Sequence, residues 1–375
     1  MIYLDNAATG GFKPNSVVEE ATTVIKYLSA NPGRSGHRLS VTGAETVFRC
    51  RSLIAELIGG TADRVVFTKN CTEALNLAIF GTLKKGGHVI TTTFEHNSVL
   101  RPLTYLKDRG DIELDVVSSN DALNLAKVIE NKIKPNTYLI VTTAVSNVTG
   151  MTLPFKEIGK IAKKHGVFYL VDGAQAGGHV PLDLATDNIN MLALAGHKGL
   201  YGIMGSGVLA FDQNVNVVPL LFGGTGNMSY SLVQPQSYPE SLEAGTLNLP
   251  AISALCEGVR LVKHNLTNFA NQLTSYTQKV IANLIDISRV TCYSLPNPSG
   301  IVAFRINGVS SEQVADRLNY DFDVAVRGGL HCAPLMHEFL GTSKDGLVRA
   351  SFAVQNTTRE IDYFIKCVRQ IALDS

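Results

Sequence analysis

Short apolar runs alternate with helix-like stretches through the first two-thirds of this chain. That alternation constrains the fold more than any other feature. Val65-Val66-Phe67-Thr68, His88-Val89-Ile90-Thr91, Tyr138-Leu139-Ile140-Val141 and Phe168-Tyr169-Leu170-Val171 read as strands, as does 112–117. Between them, 72–83 puts Leu75, Ala78, Ile79 and Leu83 on one helical face, and another helix opens near Pro154 and runs to His165. Strands apolar on both faces need cover on both sides, which a largely parallel α/β sheet with flanking helices provides. Ligands of such sheets gather at the carboxyl ends of strands. Asn70-Cys71-Thr72, Glu95-His96, Ser146-Asn147 and Asp172 are expected there.

The pattern changes after about residue 250. A long helix is expected from Pro250 through His264 and beyond, then a strand at 301–306, a helix at 310–318, strands at 324–326 and 348–352, and a closing helix at 357–373. That describes a smaller α+β domain. A chain of 375 residues has room for one or two substantial domains. Its formal net charge of +1 and the lack of a long Lys/Arg run argue against a nucleic-acid partner. The start Met1-Ile2-Tyr3-Leu4-Asp5-Asn6 lacks a signal-peptide layout, and no apolar run is long enough to span a bilayer, so a cytoplasmic protein with no membrane association is expected. The six cysteines form no C-x-x-C pair. His331, Cys332 and His337 offer three metal ligands without a fourth, so no metal is expected.

Two distant segments carry the chemistry. In the first, Asp172 ends an apolar strand and Lys198 follows 26 positions later between Gly196 and Gly199. This pairing suits pyridoxal 5'-phosphate (PLP), with the lysine as Schiff-base partner and the aspartate holding the pyridinium nitrogen protonated. The glycines would let the backbone approach the cofactor. Gln175 would reach the phenolic oxygen, and Thr72, opening a helix, would help bind phosphate. His96 would stack on the ring. The plainer alternatives are a solvated turn lysine, an N-cap or Mg²⁺ ligand at Asp172, ordinary capping at Thr72 and a polar core histidine at position 96. In the second segment, Arg327-Gly328-Gly329-Leu330-His331-Cys332-Ala333-Pro334, Cys332 has His331 beside it and Arg327 five residues before it. Both neighbours would favour a reactive thiolate over an inert buried thiol.

With these segments assembled, the chain resembles the class V aminotransferase-like PLP enzymes and, within them, the cysteine desulfurases. The likeness runs from Tyr3-Leu4-Asp5-Asn6-Ala7-Ala8-Thr9 to Arg349-Ala350-Ser351. The Arg-x-Gly-x-His-Cys-Ala segment is similar to the group II, selenocysteine lyase-like branch. The resemblance implies fold type I: a large domain (12–255) around a mostly parallel seven-stranded sheet, a small α+β domain (1–11 and 256–375), and a homodimer. It implies Lys198 as Schiff-base lysine, Asp172 and Gln175 on the ring, His96 stacked on it, and Thr72, Cys71 and His197 toward the phosphate. Thr246 would reach the phosphate from the other subunit. Asn147, Arg327 and Arg349 would hold the substrate, with His37 nearby. The family usually carries a small residue where Cys71 stands, and Gly199 extends the usual turn after the lysine. The implied reaction takes L-cysteine to L-alanine and leaves the sulfur as a persulfide on Cys332, for a possible acceptor protein. L-selenocysteine lyase, or a class V aminotransferase or epimerase, is the alternative.

Overall fold

A computed structural model describes residues 1–119 and 122–374. The chain begins with β1 (Ile2–Tyr3), α1 (Asn15–Tyr27), α2 (Arg38–Leu57), β2 (Val65–Thr68), α3 (Cys71–Gly81), β3 (Gly87–Thr92) and α4 (Asn97–Asp108). It continues through β4 (Ile112–Val117), α5 (Ala122–Asn131), β5 (Thr137–Thr143), α6 (Phe155–His165), β6 (Phe168–Asp172), β7 (Met191–Ala195) and β8 (Gly207–Phe211). The last third holds α7 (Leu249–Leu284), β9 (Val290–Cys292), β10 (Ile301–Ile306), α8 (Ser311–Phe322), β11 (Val324–Ala325), α9 (Pro334–Leu340), β12 (Val348–Ser351) and α10 (Thr358–Asp374).

Seven strands form one sheet in the order β2-β8-β7-β6-β5-β3-β4. Only β8 runs against the others, pairing antiparallel with both β2 and β7. Every residue of β5, β7 and β8 is buried, as strands covered on both faces require. Helix α6 turns Phe155, Ile158 and Ala162 inward and stops at Gly166, whose left-handed φ of 65° closes its C-terminus. One core cluster lies on each face of this sheet.

A separate core joins Leu4 to Leu273, Phe304, Phe352, Phe364 and Val368, so both ends of the chain build it. Its sheets are the antiparallel set β12-β10-β9 and the parallel pair β1-β11. Helix α7 is continuous across the boundary expected between 255 and 256 and ties the two cores together. No helix among the described residues is long and apolar enough to cross a membrane.

Candidate active site

The carboxyl ends of β3, β5, β6 and β7 open into one cavity, lined in part by Cys71, His96, Asn147, Asp172, Gln175 and Lys198. Asp172 closes β6 and is only 3% exposed. Its Oδ1 accepts from the Ala174 amide at 2.9 Å and from the Cys71 thiol at 3.5 Å. Among the described residues its Oδ2 has no hydrogen-bond partner. The Gln175 amide donates to the Ala7 carbonyl at 2.9 Å, drawing the N-terminal segment across the cavity.

Lys198 stands in the turn after β7. Burial pushes its amine below the usual lysine range, against the opposing pull of Asp172. The neighbouring glycines pack closely against protein. A Cβ on Gly199 would lie 2.4 Å from the Gly177 carbonyl oxygen, and one on Gly196 would lie 2.3 Å from Ser206 Oγ. The lysine turn is thereby seated on the turn that follows Asp172. Gly199→Ala is expected to cost about 1–3 kcal/mol through overpacking. It should also weaken cofactor retention by displacing Lys198. Urea melts and absorbance of the purified variant check both, and a wild-type result in each would remove this role.

His96 is the N-cap of α4: Nδ1 accepts from the Ser98 amide at 3.0 Å. That leaves the ring proton on Nε2. Burial, chiefly, lowers its pKa to about 4, so the ring is neutral. Ser98 Oγ also meets Thr72 Oγ1 at 2.8 Å, linking the starts of α4 and α3. Thr72 itself does not cap α3. Asn70 does, accepting from the Glu73 amide, and Thr72 is the second residue of the helix. The amides of Cys71 and Thr72 therefore lie among the unpaired donors of a helix N-terminus, a ready anion site. His197 is held by Thr9 Oγ1 at 3.0 Å from Nδ1, and burial lowers its pKa to about 4.

The small core adjoins this cavity at Asn147. Arg349, 1% exposed, donates to Asp5 Oδ1 and to the Asn147 carbonyl, each at 2.9 Å. Its Nε is buried without a partner. Asn147 donates to the His331 carbonyl at 2.8 Å, and the Asn97 amide to the Cys332 carbonyl at 2.7 Å. These two bonds dock the Cys332 loop against the start of α4, beside His96. The thiol of Cys332 is exposed, with Arg327 Nη2 3.8 Å from Sγ.

His331 corrects an expectation. Its ring is buried and bonds to the Arg327 carbonyl at 3.2 Å and to His337 at 3.5 Å. Burial first, then the Arg349 charge, lowers its pKa to about 2. A neutral ring turned into the protein supplies no positive charge to the thiol, so Arg327 is the cationic neighbour. His331 and Cys332 both hold left-handed φ angles, 51° and 58°.

Within a single chain Arg327, Cys332 and Arg349 adjoin this cavity without lining it, and His37 and Thr246 lie away from it. His37 is exposed and caps α2 through Ser40. Thr246 meets Asn31 at 3.5 Å, at a different cleft of about 430 Å³ bordered by Gly245 and Leu247. Beside that cleft, Phe222, Tyr230, Leu232 and Val233 are exposed in a stretch without helix or strand. Sequence reading did not single out Ser98, Asp5, Thr9 or Lys13, whose amine donates to the His197 carbonyl at 2.9 Å. Ser98 contacts the candidate site residue His96 two positions away, and Asp5, Thr9 and Lys13 reach Arg349 and His197 by contacts made only in three dimensions.

The donor set fits PLP: a buried carboxylate with a free oxygen, an amine of lowered pKa, a neutral flat ring and an open helix N-terminus. The sheet and site define a PLP-dependent fold type I enzyme. The chain matches the aminotransferase class-V family over residues 2–364 and belongs to that family. It is 32% identical to a probable cysteine desulfurase of Methanothermobacter thermautotrophicus, across 99% of this chain and 94% of that protein. The apo structure of a cysteine desulfurase from Thermococcus onnurineus superposes with a TM-score of 0.92 at 31% identity, covering 100% of this chain and 95% of that one. A cysteine desulfurase structure from Escherichia coli gives 0.89 at 26% identity, with 99% and 94% covered.

Proposed function

We propose that this chain is a PLP-dependent cysteine desulfurase that works in the cytoplasm as a homodimer. The observation that carries the reading is the docked, exposed Cys332, with Arg327 3.8 Å from its sulfur, on a loop bonded to Asn147, which lines the cavity that holds Lys198 and Asp172.

When bound, the cofactor supplies an electron sink for negative charge at the substrate α-carbon. The chain's residues do the rest. Asp172 Oδ2 would hold the positive ring nitrogen and His96 would cover the ring face. The free amides of α3, with Cys71, Thr72 and His197 around them, take the phosphate. Arg349 and Asn147 orient the α-carboxylate, with Arg327 and His37 completing the substrate side. Lys198 Nζ, whose pKa burial lowers, accepts the α-proton. Cys332 Sγ attacks the substrate sulfur as a thiolate. The new S–S bond forms as the C–S bond breaks and its electron pair stays with the β-carbon; protonation there and return of the proton from Lys198 to the α-carbon give alanine.

The exposed apolar side chains around Phe222 and Leu232 support a second copy of this chain as their cover, bringing Thr246 to the neighbouring site. In this reading residues 12–255 form the large domain, and 1–11 with 256–375 the small one. An exposed persulfide on Cys332 would be open to an acceptor protein.

Sulfide and alanine released from L-cysteine under reductant, in wild type and in Cys332→Ser, test the reading. Wild type should give equal amounts of both, and the variant should fall to background while keeping its cofactor. Full sulfide release by the variant would remove Cys332 from the reaction. No sulfide from cofactor-loaded wild type would move the substrate to L-selenocysteine or another amino acid.

A further inference from the structure

Cys71 is the first residue of α3, 8% exposed, at a position where a smaller residue is expected. It borders the cavity, but its sulfur points to Asp172, 3.5 Å from Oδ1. The carboxylate can only accept, so the thiol donates. Burial, then the Asp172 charge, push the Cys71 thiol well above its ordinary range, so the donor proton stays in place. The second carboxylate oxygen has no partner among the described residues, although Asp172 is 97% removed from solvent and borders the same cavity. One oxygen is thus fixed by the Ala174 amide and the thiol, and the other is left for a cationic ring nitrogen.

We propose that Cys71 is a positioning residue for Asp172, which orients the carboxylate and tempers its charge by thiol donation to Oδ1. The inference rests on the cofactor reading of Asp172. Sulfur is a weak donor. It therefore fixes the carboxylate plane while leaving Oδ2 most of its negative charge. Four groups face the carboxylate: Lys198 from the turn after β7, His96 and Glu95 from the end of β3, and Cys71 from α3. Burial lowers the His96 pKa to about 4 and pushes the Glu95 carboxyl well above its usual range, and of these four groups Cys71 is the one that hydrogen-bonds Asp172. Arg349 and Arg327 also act on Lys198.

Losing the thiol would concentrate negative charge on Oδ2 and stabilise the protonated form of the Lys198–cofactor linkage. In holoenzyme, the pH midpoint of the cofactor absorbance should rise by roughly 0.5–1 unit in Cys71→Ala, the size of one modest hydrogen bond. Cys71→Ser, which keeps a donor, should titrate near wild type. An unmoved midpoint in Cys71→Ala, or an equal shift in both variants, would overturn the proposal. A second readout needs no cofactor. The infrared S–H stretch of Cys71 in apoprotein, isolated as wild type minus Cys71→Ala, should move when Asp172 is changed to Asn. A band indifferent to Asp172→Asn would also overturn it. If wild type shows no titrating cofactor band, the cofactor reading fails, and this band alone decides whether Cys71 holds Asp172.

Discussion

Lys198→Met will abolish turnover and yet make the cofactor-free protein more stable. Removing the group that accepts the α-proton should lower kcat by about 10²–10⁴-fold. Loss of the covalent cofactor linkage adds to that. The stability effect follows from burial, which holds the Lys198 amine below its ordinary pKa of about 10.4. Between the folded and the ordinary value, the unfolded chain carries a proton that the folded chain lacks. Stability of apoprotein therefore rises with pH across that window, and below it the folded state bears the cost of a buried charge. Methionine has nearly the same length and no proton to bind. The apo variant should melt higher than apo wild type at neutral pH, and the gap should narrow as pH rises toward the lysine range. A lower melting point at neutral pH, or a constant gap, would show that burial does not lower the lysine pKa.

The strand that ends at Asp172 was legible because Phe168-Tyr169-Leu170-Val171 has no polar break and a charge stands where it stops. Strands β7 and β8 were not. Met191-Leu192-Ala193-Leu194-Ala195 is built of residues that favour helix, and its extended form comes from pairing with β6 and β8 inside the sheet. Helix α7 was located at its start, where Pro250 sits in the first turn. Its C-terminal end at Leu284 has no proline or glycine to mark it. The site divides in the same way. Asp172, Gln175 and His96 follow strands that the apolar runs delimit, so their convergence could be read from the order of elements, whereas Lys198 was picked out by its glycine-bounded turn and not by the strand before it. The inward turn of the His331 ring could not, because it depends on His337 and on the Arg327 carbonyl closing around a left-handed backbone. Nor could the contact of Arg349 with Asp5, which are 344 residues apart and meet only when β12 and the N-terminal segment join one core.

Arg349→Ala is the variant in which stability and catalysis should fall together. Arg349 is 1% exposed and bonds to Asp5 and to the Asn147 carbonyl. Asp5 keeps 22% of its side chain open to water, so losing its partner should cost near the lower end for a broken buried pair, about 3 kcal/mol. The unpartnered Nε marks remaining capacity for an anion. A lost charge-assisted bond to the substrate carboxylate is worth about 1.5–3 kcal/mol, or roughly 10–100-fold in kcat/KM for L-cysteine. Arg349→Lys keeps the charge but not the planar fork, and should recover much of the stability and little of the catalysis. Cysteamine, which has the thiol and the amine of cysteine but no carboxylate, separates the two effects. If Arg349 acts through the carboxylate, its loss should lower kcat/KM for L-cysteine far more than for cysteamine, measured on protein that urea melts show to be folded. Equal losses on both substrates would make Arg349 a strut between the N-terminal segment and β12, and would leave substrate orientation to Asn147 and Arg327.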